Sequence, residues 1–140
     1  MSKSAYIKLV PGSKQTEISL NEVKELLHTY QERTRLTGTQ LDWDYADAAF
    51  PYRLEEKEQD GQPYLLLNGK GTEHYEYFII GTGTEAETEV QFIQIVLPSQ
   101  ATHGDLGKVN EYAKWLAKAL QGELHMLNGR IMYFNDRKSR

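Results

Sequence analysis

Within seven positions, Thr102-His103-Gly104-Asp105-Leu106-Gly107-Lys108 combines the residue types of an anion site. The segment lies where a strand pattern gives way to a helix pattern, so free backbone N–H groups and the positive end of a helix dipole should converge on it. Gly104 and Gly107 permit close backbone approach, Lys108 adds a positive charge, and His103 can exchange a proton near neutral pH. The ligand class this predicts is a small phosphorylated or carboxylated molecule. The segment is not a Walker loop, because the G-x-x-x-x-G-K-[ST] spacing is absent and Val109 stands where a magnesium-binding hydroxyl would. The competing reading is structural: Asp105 caps the helix by accepting its N–H bonds, and its carboxylate competes with any bound anion. Ser99, His103 and Asp105 are the residue types of a hydrolytic triad, but no nucleophile-elbow sequence surrounds the serine. No residue is therefore assigned a catalytic role.

Other constellations fail on context. Gly81-Thr82-Gly83-Thr84-Glu85-Ala86 matches a G-x-G-x-x-A dinucleotide fingerprint, yet a strand follows it where the mechanism needs a helix N-terminus. Glu85, Glu87 and Glu89 would also repel phosphates, and the segment reads as a hairpin loop. Asp42, Asp44 and Asp47 suggest a calcium loop, but Ala46, Asp47 and Arg53 stand where an oxygen ligand, a glycine and a glutamate are required. His28, His74, His103 and His125 are dispersed, with no His-x-x-x-His pair, so no metal site and no cofactor is expected.

The elements that must position these residues follow from periodicity. Ser4 to Val10 alternates around Ala5, Ile7 and Leu9 and reads as a first strand stopped by Pro11-Gly12. Ser19 and Glu22 have capping-box spacing, and Leu20, Val23, Leu27 and Tyr30 recur as a helical stripe that Gly38 is expected to end. An acidic and aromatic connection, residues 39–49, contains Trp43 and Tyr45 as plugs or as a contact surface. Strands follow: Phe50 to Leu54, then Tyr64 to Leu67 after the Asp60-Gly61 turn, then His74 to Ile80 and Val90 to Leu97. A second helix is expected from about Asp105 to Leu120, closed by Gly122. A final hairpin turns at Asn128-Gly129 through a two-residue loop, and residues 136–140 form a frayed tail.

The order β-α-β-β-β-β-α-β-β predicts an α+β fold, a two-layer sandwich of one twisted antiparallel sheet with two amphipathic helices on one face. At 140 residues the chain fits one domain, residues 1–140. With no cysteine, disulfide frameworks, thiolate metal sites and cysteine nucleophiles are excluded, and a cytoplasmic setting is expected. No stretch has the length of an export signal or membrane span. Residues 1–100 carry 9 Lys/Arg against 16 Asp/Glu, while residues 101–140 carry 7 against 4. These basic residues form no dense stripe, so nucleic acid is not the expected partner.

Asp42-Trp43-Asp44-Tyr45 leading to Ala49-Phe50-Pro51-Tyr52, together with Thr102 to Lys108 leading through Gly122-Glu123-Leu124-His125 to Asn128-Gly129-Arg130, resembles a small uncharacterised family of Bacillus-type bacteria, a domain of unknown function. The resemblance spans most of the chain. It implies a cytoplasmic bacterial protein with a sheet-and-helix sandwich, similar in outline to the TATA-binding-protein type of half-domain, and it carries over no activity and no site residue.

One mismatch carries the functional expectation. A sheet with helices on one face should be polar on the other, yet the strand patterns put apolar residues on both. Tyr75, Tyr77 and Ile79 are expected to oppose Phe78 and Ile80; Val90, Phe92 and Val96 to oppose Ile93, Ile95 and Leu97; and Leu124, Met126, Ile131 and Tyr133 to oppose Leu127, Met132 and Phe134. The surplus is shielded either by residues 39–49, anchored by Trp43, or by a second copy in a homodimer. The expected function is a noncatalytic binding or protein-interaction module; the alternative is a ligand-binding protein or enzyme using the turn at 102–108.

Overall fold

The computed structural model describes residues 2–41, 50–70 and 74–135, with residues 35–41 described by their backbone alone. The element order is β1 (Lys3–Lys8), α1 (Leu20–Leu41), β2 (Tyr52–Gln59), β3 (Gln62–Gly69), β4 (Tyr77–Thr84), β5 (Gln91–Leu97), α2 (His103–Leu120), β6 (Glu123–His125) and β7 (Ile131–Tyr133). The strands form one sheet in the order β2-β3-β4-β5-β1-β6-β7, antiparallel at every pairing. This is the two-layer α+β sandwich that the alternation of patterns predicts.

Strand parity sorts the residues into two faces. Ala5, Ile7, Leu65, Leu67, Phe78, Ile80, Ile93, Ile95, Leu97 and Leu124 point toward the helices and are buried. Val23, Leu27 and Tyr30 of α1 and Val109, Tyr112, Ala113, Leu116 and Leu120 of α2 meet them. The β2–β4 half of this core is aromatic. Phe50 stacks on Tyr112 with ring centroids 5.2 Å apart, and Tyr52 meets Phe78 edge-on at 4.9 Å. Tyr30 bridges the two helices, 5.2 Å from Tyr112 and 5.4 Å from Trp115.

Local chemistry explains where the elements begin. Ser19 and Glu22 form the expected capping box: Ser19 N donates to Glu22 Oε1 at 3.0 Å and Glu22 N to Ser19 Oγ at 3.2 Å. Hydrogen bonds from Gln15 and from the Ser19 backbone hold the Glu22 carboxyl below the usual range. Asp60 and Gly61, with φ of 51° and 80°, make the expected two-residue hairpin turn.

Five sequence expectations are corrected. The α1 backbone continues past Gly38 to Leu41, since a glycine lowers helix propensity but does not end a helix that packing sustains. Gly81 to Thr84 is strand, not loop: it pairs with Gln91 to Gln94, and the turn lies beyond it. Helix α2 starts at His103 with Thr102 as its N-cap. At its other end Gln121, φ 53°, takes the left-handed cap position. Gly122 is needed for space instead, because a Cβ there would lie 2.9 Å from Ile7 Cγ2 and 3.1 Å from Lys8 O.

The fifth correction is a register. Met126 N donates to Arg130 O at 2.8 Å, so the last hairpin closes on three residues with only Gly129 at positive φ (88°), the bulged alternative to a two-residue turn. The extra residue flips one strand relative to expectation. Leu124 therefore opposes Met132 toward the helices, while Ile131 and Tyr133 oppose His125 and Glu123 on the other face. Ile131 and Tyr133 are 41% and 46% exposed.

Candidate functional site

The turn into α2 is built around a buried carboxylate. Asp105 is 0% exposed. It accepts from Thr102 N at 3.0 Å, from Glu76 N at 3.0 and 3.2 Å, and from Tyr52 OH at 2.6 Å. Asp105 N in turn donates to Thr102 Oγ1 at 3.0 Å, completing a capping box. The Thr102 hydroxyl donates to His74 O. Four backbone segments are thereby tied together: the start of β2, the 74–76 approach to β4, the turn, and the helix.

The predicted anion-site residues are divided by this arrangement. Thr102 and Asp105 spend their polar atoms internally. Gly104 is required for close approach, since a Cβ there would run into His74 O and sit 3.0 Å from the Tyr75 ring. Gly107 faces open space. Lys108 pairs with Glu111 at 3.1 Å. His103 is exposed and lines a depression of 290 Å³ with Lys3, Leu97, Pro98, Ser99, Ala101, Thr102 and Leu106. The cation at this depression is thus Lys3, which neighbours Leu97 through strand pairing. Its position at the end of a distant strand left no local signal. Asp105 does not reach His103, so Ser99, His103 and Asp105 are not assembled as a triad. The Thr102-x-x-Asp105 spacing, the same as Ser19-x-x-Glu22, was the signal that Thr102 and not Asp105 is the cap.

The second candidate surface is the sheet face turned away from the helices. Tyr64 and Leu66 of β3, Tyr77 and Ile79 of β4, Phe92 and Val96 of β5 and Tyr6 of β1 are half-buried along it. Leu66 pairs with Ile79, and Ile79 with Val96. Tyr6 meets Phe92 edge-on at 5.5 Å, and the Phe92 ring lies over Gly83, where a Cβ would come within 2.6 Å. Gln94 donates to Ser4 Oγ at 3.0 Å and Tyr6 OH at 3.2 Å. A Cβ at Gly81, by contrast, would meet nothing within 4 Å. Gly81 floors a 360 Å³ depression walled by Tyr64, Ile79, Gln94 and Val96. Tyr75 does not share this face with Tyr77: it precedes β4 and packs on the Tyr52 ring at 5.5 Å, because the Asp105 bond to Glu76 N turns the chain there. Trp43 and Tyr45, and with them the expected cover by residues 39–49, fall outside the described residues.

Among the described residues no group of three or more His, Asp and Glu side chains is placed to hold a metal ion, and no helix is long and apolar enough to cross a membrane. Fold and surfaces together define a two-layer α+β sandwich with a partly aromatic sheet face turned away from the helices.

The chain belongs to the family described as a domain of unknown function, DUF1885, whose profile matches residues 3–136. It is similar to a solved structure described as a protein of unknown function from Bacillus stearothermophilus, at 44% identity, covering 85% of this chain and 90% of that chain, with a TM-score of 0.57. No curated protein matches the chain. The resemblance to a Bacillus-type family is thus borne out.

Proposed function

We propose that the protein is a noncatalytic cytoplasmic interaction module whose contact surface is the open sheet face, and that a second copy of the chain is its partner. The observation that carries this reading is the run Leu66–Ile79–Val96 across three adjacent strands, flanked by Tyr64, Tyr77 and Phe92. Large apolar patches are rarely left to water by monomers, and a two-fold dimer is the commonest way to bury one. Pairing through the β2 edge instead is disfavoured, because Arg53, Glu55 and Lys57 alternate along it as charges that discourage strand addition.

Sedimentation at micromolar concentration should give twice the 16.1 kDa chain mass. Ile79→Lys and, separately, Val96→Lys should return it to the single-chain mass with unchanged circular dichroism, since a charge desolvated in the interface is costly. A wild-type protein that sediments only as a monomer overturns the proposal.

A second reading keeps the turn at 102–108 as a site for a small anion, supported by the convergence of Lys3 and His103 on the 290 Å³ depression. On this reading inorganic phosphate shifts the amide resonances of Gly104 to Lys108 more than others, and Lys3→Ala weakens the effect more than Lys108→Ala. Small, uniform shifts would leave the turn as a plain helix cap. The buried Asp105 carboxylate, which already occupies the helix N-terminus, favours that outcome.

A further inference from the structure

The helix layer carries a surface that neither reading uses. Beside its buried stripe, α1 presents Leu26, Thr29 and Arg33 at helical spacing, and α2 presents Trp115, Lys118 and Ala119. These two secondary stripes face each other across the seam between the helices. The helices meet there through bulky side chains, Tyr30 against Tyr112 and Trp115, and no described residue fills the seam above them. It forms a 410 Å³ depression lined by Lys14, Leu26, Thr29, Arg33, Trp115, Lys118 and Ala119. A second depression of 230 Å³ continues it, sharing Lys14, Leu26, Thr29 and Ala119 and ending at Glu22 and Glu25. Lys14 is held at the junction by its backbone, whose N–H donates to Leu120 O at 2.9 Å.

Its charge is the informative feature. The chain has net charge −4, yet among the described residues the larger depression is lined by Lys14, Arg33 and Lys118 and by no carboxylate, around Leu26, Trp115 and Ala119. Among the described residues, neither Lys14 nor Lys118 reaches an acidic partner. We propose that this seam docks an acidic amphipathic helix of a partner protein, its apolar face on Leu26, Trp115 and Ala119 and its carboxylates against Lys14 and Lys118. A helix suits the seam better than a fatty acid does. The depression is a surface trough between helices of 22 and 18 residues, roughly 33 and 27 Å long at 1.5 Å per residue. Such a trough follows the helix-in-groove mode, whereas a lipid tail needs a cavity that encloses most of its surface. The acidic end at Glu22 and Glu25 fixes the polarity, repelling a partner whose carboxylates are spread along its whole length.

The test uses the full chain and a synthetic 16-residue peptide with leucines at i, i+3, i+4 and i+7 and glutamates confined to one end of its polar face. The expected result is micromolar binding that weakens at least tenfold between 50 and 300 mM salt. Amide shifts should be concentrated at Leu26, Thr29, Trp115 and Ala119, and Lys14→Glu and Lys118→Glu should each weaken binding about tenfold. The proposal is overturned if the corresponding lysine peptide binds equally well, if the shifts fall on the open sheet face, if neither charge reversal matters, or if laurate binds the seam while the acidic peptide does not. Because dimer formation involves the opposite face, sedimentation of the same charge-reversal variants separates failure here from failure of the sheet-face reading.

Discussion

Replacing Asp105 by alanine should cost about 3–5 kcal/mol of stability, the largest loss expected from one substitution at the turn. The carboxylate is 0% exposed and accepts hydrogen bonds from Tyr52 OH, Glu76 N and Thr102 N. Alanine leaves three donors without a partner, two of them backbone groups that cannot rotate away, and each unsatisfied buried group costs about 1–3 kcal/mol. Some of the Glu76 and Thr102 loss is recovered from water, because those two bonds are only part-buried, which places the sum below the simple total. Tyr52→Phe removes a donor instead and should cost about 1.5–3 kcal/mol, the usual range for a hydrogen bond to a charged group. The double variant should cost less than the two singles together, because the tyrosine hydroxyl stranded by the first substitution is removed by the second. Urea unfolding of the four proteins measures all of this. A loss below about 1 kcal/mol for Asp105→Ala would show that the carboxylate does not hold the turn, and would reopen the helix N-terminus to an outside anion.

That substitution also marks where sequence reading stops. The capping box at Ser19 and Glu22, the hairpin at Asp60-Gly61 and the order of elements are encoded over a few neighbouring residues, so each could be read from spacing and residue type. Asp105 could be read as a helix-start residue for the same reason. Its bonds to Tyr52 and Glu76 join positions 53 and 29 residues away, and no local pattern reports such a distance. The same limit explains Gly104 and Gly122, whose requirement for glycine comes from His74 O pressing on the first and from Ile7 Cγ2 and Lys8 O pressing on the second. The last hairpin failed differently. The apolar residues of β6 and β7 suit either face, so one residue of loop length decided the register, and the sequence Asn128-Gly129 fits both a two-residue and a three-residue turn. The apolar surplus on the sheet face away from the helices was legible at Tyr77, Ile79, Phe92 and Val96 because their strands have unambiguous parity; Leu66, which joins them, was not singled out. The seam between the helices was not, because Lys14, Arg33 and Lys118 meet only after packing.

Alkaline conditions should unfold the protein through two buried phenols. Burial pushes the Tyr52 hydroxyl far above the ordinary value of 10.0, and the hydrogen bond to Asp105 and the charge of that carboxylate push it further. Burial does the same to Tyr112, reinforced by Tyr30 and Tyr52. In the unfolded chain both titrate near 10, so above that pH the unfolded state releases protons that the folded state keeps. Stability is then fully present below pH 10 and falls as pH rises beyond it. Each such group costs roughly 1.4 kcal/mol at pH 11, so the pair removes roughly 3 kcal/mol relative to pH 8. Lysines lose charge over the same range, and the comparison that isolates the phenols is between the wild type and Tyr112→Phe. The Phe variant should lose about half as much stability between pH 8 and 11. Tyr52→Phe should show the same reduced pH dependence, in addition to the stability it gives up with the Asp105 bond. Parallel losses in all three proteins would mean that the tyrosines ionise in the folded state, and that the aromatic core between the helices and β2–β4 admits water.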